Sequence, residues 1–144
     1  MKKKVRTLIQ RISHDPLHAI IGGDLIATGL ILLFHQQYFF WPPYPKWITV
    51  IENDSIVGFV GLVTGTGLIW WALQHDKSIR LNRLCLSASS AYYALLSATE
   101  LMHGLLSPMG EPHMVTTSFS EIALLLVTLY MAKKSPTKRD EYER

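Results

Sequence analysis

Four ionisable side chains stand inside otherwise apolar stretches of this sequence: Asp24, Glu100, His103 and Glu121. Carboxyl and imidazole groups take up protons and bind cations. In lipid a charged residue at a helix centre costs about 2.5–3.5 kcal/mol on insertion scales, so one that is kept turns toward other helices or water. Three kinds of chemistry fit Glu100, His103 and Glu121. In the first, Glu100-x-x-His103 sets two metal ligands on one helix face, as di-iron bundles do. That architecture needs further Glu and Glu-x-x-His ligands, and only one such motif is present, so no metal and no cofactor is expected. The second is a proton or cation relay, because intramembrane carboxylates mark ion paths. The third is structural. Glu100 would bond Ser, Tyr or His on neighbouring helices, and Glu121 would close a capping box with Ser118, which is the preferred reading for Glu121 alone.

The element that positions Glu100 and His103 is a run over 84–106, about 23 residues against the roughly 17–25 a span needs. At about 100° per residue, Ser89, Tyr93, Ser97, Glu100, His103 and Gly104 share one arc, while Leu95, Leu101, Met102 and Leu105 lie elsewhere. Ser90, Ala94 and Ala98 form a small-residue ladder that admits a close neighbour. Three further runs fit spans, at 17–34, 56–73 and 119–132. Asp15-Pro16 offers an N-cap and a first helical proline to the first of them. Ala19, Gly23 and Ala27 make a ladder there, and Gly58, Gly61 and Gly65 make one in the second. Asp24 inside the first run, and the bulky residues after it, argue against a cleaved signal peptide. The fold expected is all-α: four antiparallel transmembrane helices in one domain over 1–132, preceded by a short amphipathic surface helix at the N-terminus and followed by a charged tail at 133–144.

Asp24, Thr28 and His35 share a face of the first run. A lone carboxylate there, in a small four-span chain, resembles the arrangement of the small multidrug transporters. Glu100, Glu121 and the aromatic loop depart from that pattern. By depth, Glu100, His103 and Glu121 could converge with His35 and His113 at the outer side, and Asp24 is expected to be a separate site.

Charge sets the orientation. The chain carries 14 Lys and Arg against 11 Asp and Glu, for a net charge of +3. With four spans, every Lys and Arg except Lys46 falls on one side, which the positive-inside rule makes the cytoplasm, with both termini there. The basic excess is local, so no nucleic-acid partner is expected. The loop YFFWPPYPKW carries Trp41 and Trp47, and Trp70-Trp71 ends the second run; all four tryptophans fit the headgroup level as interface anchors. The single cysteine, Cys85, excludes an intrachain disulfide framework. VTGTG lacks the Lys-Ser/Thr of a phosphate loop, and no Ser/His/Asp set has a hydrolase context, so an enzyme is not expected.

The leading expectation is an oligomeric pore or membrane-permeabilising protein, similar in gross architecture to phage holins, with the lipid bilayer and further copies of the chain as partners. The first alternative is a small ion- or proton-coupled transporter using the intramembrane acids. The second is a non-catalytic membrane subunit or an immunity or exclusion factor acting through the aromatic loop.

Overall fold

The computed structural model describes residues 15–35, 55–74, 78–107 and 112–135. These form four helices: α1 (Pro16–Phe34), α2 (Ser55–Leu73), α3 (Ile79–Leu106) and α4 (Pro112–Lys134). The expected N-terminal surface helix, the aromatic loop and most of the charged tail lie outside the described residues. Helices α1, α2 and α4 are long and apolar enough to cross a membrane, which points to a membrane-embedded protein. Helix α3 is the longest, at 28 residues. It does not pass on composition, because its sequence carries the polar arc.

Each boundary has a local reason. Pro16 opens α1 at a position where a missing N–H costs nothing, although Asp15 makes no capping side-chain bond. Ser78 caps α3, its hydroxyl accepting from the Leu81 N–H at 3.4 Å, so the helix starts five residues before the expected 84. Helix α4 starts at Pro112, seven residues before the expected 119. Ser118 and Glu121 therefore sit within the helix, and the capping box is not formed. The run 119–132 looked short because Thr116, Thr117 and Ser118 read as loop. Instead Thr116 and Thr117 donate to the carbonyls of Pro112 and His113, four residues back, and remain helical.

Helix α1 packs chiefly on α2, α3 on α4, and α2 on α3. The α1–α2 contact is backbone on backbone. A Cβ built on Gly22 would lie 2.8 Å from the Gly65 carbonyl oxygen, and one on Gly29 would lie 2.6 Å from that of Gly58. Both pairs repeat after seven residues, two helical turns along one face. Gly58 and Gly65 are thus in the predicted packing role, while Gly61 faces the Tyr92 ring of α3. Gly23 is not at this seam: it is exposed and nothing lies within 4 Å of its Cβ position. Its neighbour Gly22 carries the contact, because one residue along a helix turns the face by about 100°. Ser90, Ala94 and Ala98 also line the outside of α3, half-buried to exposed within this chain.

The core holds Ile21 and Leu25 of α1, Leu68 of α2, Cys85 and Leu86 of α3 and Met131 of α4. The predicted arc on α3 is its inner face, with Ser89, Tyr93, Ser97, Glu100, His103 and Gly104 all buried. Leu84, Leu95, Met102 and Leu105 face outward. Several hydroxyls on these helices close bonds to a carbonyl in the preceding turn, Ser89 to Cys85 and Thr128 to Leu124 among them. Such bonds let a polar side chain sit away from water.

Candidate functional site

Glu121 of α4 is only 7% exposed, Glu100 of α3 is 3% exposed and His103 is fully buried. Their depth follows from the helices that carry them. Glu100 lies six residues before the end of α3, roughly 9 Å along its axis, and Glu121 lies nine residues into α4, roughly 14 Å. Both line one cavity of about 150 Å³ between α1, α3 and α4. Thr28 and Thr117 add hydroxyls to its wall, and Ile31, Leu32 and Leu96 supply the apolar remainder. Ile31 and Thr117 are exposed and form the rim. The Oε2 atom of Glu121 is buried with no hydrogen-bond partner among the described residues. A buried polar atom without a partner is costly, and in native structures it marks strain or the place of a missing ligand.

Asp24 does not line the cavity. The Tyr93 hydroxyl donates to its Oδ2 at 2.8 Å, and Asp24 and Glu100 both act electrostatically on Glu121. Thr28 faces the cavity and Thr64 is buried on α2. Tyr92, next to Tyr93, presses on the Gly61 backbone with its hydroxyl buried and without a partner among the described residues.

The predicted histidines separate. His103 lies one turn from Glu100 in the interior, whereas His35 and His113 are exposed. The His35 ring lies 3.2 Å from the Ile31 carbonyl at the end of α1. Among the described residues no group of three or more His, Cys, Asp or Glu side chains could hold a metal ion. Of the tryptophans, Trp41 and Trp47 lie outside the described residues, and Trp70 is 60% exposed. Trp71 is not an anchor. It is 7% exposed, its indole N–H donates to the Ser78 carbonyl at 2.9 Å, and its ring lies 4.3 Å from that of His18.

His18 belongs to a second polar group that the sequence did not announce. Its Nε2 donates to Asn82 Oδ1 at 3.0 Å, and Asn82 Nδ2 donates to Ser135 Oγ at 2.8 Å. With Trp71 this joins the start of α1, the end of α2, the start of α3 and the end of α4. Between this knot and Asp24 lie Ile21, Leu68 and Leu86, each at most 1% exposed, with the buried hydroxyls of Ser89 and Thr128 closed on their own helices. The described interior is therefore polar at the rim end, largely apolar in its next layer and hydrogen-bonded shut at the other end.

Asn82 and Ser135 gave no signal because each flanks charged residues and reads as loop. Thr117 was missed as well, though its position one turn before Glu121 on the same face could have drawn attention to it.

Comparison with known proteins gives no match: no protein family, curated protein or solved structure is similar to this chain.

Proposed function

We propose that this protein is a small ion- or proton-coupled membrane transporter whose working site is the cavity between Glu100 and Glu121. The observation that carries the reading is the Glu121 Oε2 in the cavity wall, unpartnered among the described residues, with Glu100 in the same wall. A carboxylate kept dry without a partner, at this depth, is suited to exchange a proton or cation with the outer side.

The chain in this reading has four spans. Helix α3 crosses despite its polar arc, because that arc is covered by the other helices and its outer face is Leu, Ala and Met. The pairing of Gly22 with Gly65 and Gly29 with Gly58 supports an antiparallel α1–α2 pair. The knot of His18, Trp71, Asn82 and Ser135 supports alternation of all four. The basic residues then put the knot and both termini in the cytoplasm and the cavity rim outside. The resting state is open outward and closed inward by the apolar layer.

A second reading, an oligomeric holin-like pore, is favoured by the exposed ladder of Ser90, Ala94 and Ala98 and by exposed Gly23 and Ala27. Small residues on an outer helix face suit self-association in lipid. One experiment separates the two. Purified protein in liposomes, in sodium-free buffer, is given a pH gradient and followed with an internal pH dye, while a second entrapped dye reports leakage. The transporter passes protons, retains the larger dye, and loses proton flux at least about tenfold in Glu121→Gln, the scale of removing a positioned proton-transfer group. Release of the larger dye by the wild type, or full proton flux in Glu121→Gln, refutes it.

A further inference from the structure

We infer that the cavity binds one sodium ion, held by Glu121, Glu100, Thr117 and Thr28. This deepens the transport reading and rests on it.

The donor set argues for the ligand class. Every polar group the cavity wall offers is oxygen: two carboxylates and two hydroxyls. Oxygen ligands without imidazole or thiolate select hard cations over zinc, copper or iron. Thr117 is set up as a ligand, because its proton is committed to the His113 carbonyl at 2.9 Å and its oxygen lone pairs remain available on the cavity side. Glu121, 93% buried by its 7% exposure, has an Oε2 with no other partner among the described residues. The rim residues Ile31 and Thr117 give access.

Size and charge narrow the class further. Calcium takes six to eight oxygens, and magnesium demands near-ideal octahedral geometry and keeps several waters. Four oxygen-bearing side chains, with Ile31, Leu32 and Leu96 on the remaining wall, give calcium too few oxygens when each binds through one atom and leave little polar surface for the waters magnesium keeps. A volume of about 150 Å³ holds a monovalent ion and a few waters. Carboxylates present a strong field, which favours the smaller sodium over potassium.

A buried carboxylate needs compensation in a low-dielectric interior, and a cation beside Glu121 Oε2 supplies it.

The test is thermal unfolding of the full chain in detergent at constant ionic strength and pH, with sodium, potassium or choline chloride. Sodium should raise the midpoint where potassium and choline do not. Thr117→Val keeps the shape of a rim residue and removes the oxygen, so it should weaken sodium roughly tenfold, the scale of one contact to a charged group. Thr117→Ser keeps the oxygen and should restore binding. A midpoint indifferent to sodium, an equal response to potassium, tighter binding of calcium or magnesium, or no effect of Thr117→Val would each overturn the sodium site. None of these would touch the sodium-free proton flux, so the transport reading fails or stands on its own assay.

Discussion

Gly65→Ala puts one methyl group into the α1–α2 seam. Its Cβ would lie 2.5 Å from the Gly22 carbonyl oxygen and 2.9 Å from both Ile26 Cγ1 and Leu25 Cβ, where ordinary contact begins at 3.4 Å. The nearest atom is backbone, so no rotamer change relieves it. The two helices must part by nearly an ångström, and because each is rigid, the Gly29–Gly58 contact two turns away opens too. A radial gap of about 0.5–1 Å forfeits a quarter to a half of the dispersion well at each contact, and overpacking of a tight site costs typically about 1–3 kcal/mol. Gly23→Ala is the matched control, on the partner helix α1. It meets nothing within 4 Å, and alanine is the better helix former by about 0.8–1.0 kcal/mol. Gly23→Ala should therefore be neutral or slightly stabilising. Reversible unfolding in mixed micelles, followed by helical circular dichroism, should separate the two variants by about 2 kcal/mol or more. Equal stability, or Gly65→Ala above Gly23→Ala, would refute the seam.

Two further perturbations test the interior. Tyr93→Phe removes the donor 2.8 Å from Asp24 and should cost about 1–3 kcal/mol; adding Asp24→Asn should cost much less in that background than in wild type, as a double-mutant cycle would measure. Trp71→Ala should destabilise by about 3–5 kcal/mol while Trp70→Ala stays within about 0.5 kcal/mol, and brominated lipid should quench Trp70 fluorescence in preference to that of Trp71.

Much of this architecture was legible. The apolar runs located three helices within one residue at five of their six ends, because apolar length alone decides them. The inner face of α3 was readable from the 100° spacing of Ser89, Tyr93, Ser97, Glu100 and His103, since polar groups in an apolar setting must point inward. The start of α4 was not, because Thr116 and Thr117 are polar by composition yet satisfy themselves by bonding back along the helix. The site was half visible. Glu100 and Glu121 were chosen by type and depth, but the partner of Asp24 was not, because depth along a helix says nothing of which neighbour a side chain meets. The contact through Tyr93 is long-range and has no sequence period. The choice of Gly23 over Gly22 and of both tryptophans as anchors failed for a related reason. Adjacent residues differ by about 100° of rotation, and composition cannot say which of two neighbours faces in.

The paired glycines also give the bundle a mechanical grain. Side chains that interlock can change rotamer and let a contact creep; a seam of carbonyl against Cα has no such slack. Helices α1 and α2 therefore move as one plate. Any opening of the interior has to occur between that plate and α3 with α4, the boundary crossed by the Asp24–Tyr93 and His18–Asn82 bonds. Thr28 rides on the plate, while Glu100, Thr117 and Glu121 stay behind. A motion of that kind would pull one wall off the cavity and leave both carboxylates in place, so the grip on whatever lies between them loosens without either acid changing helix.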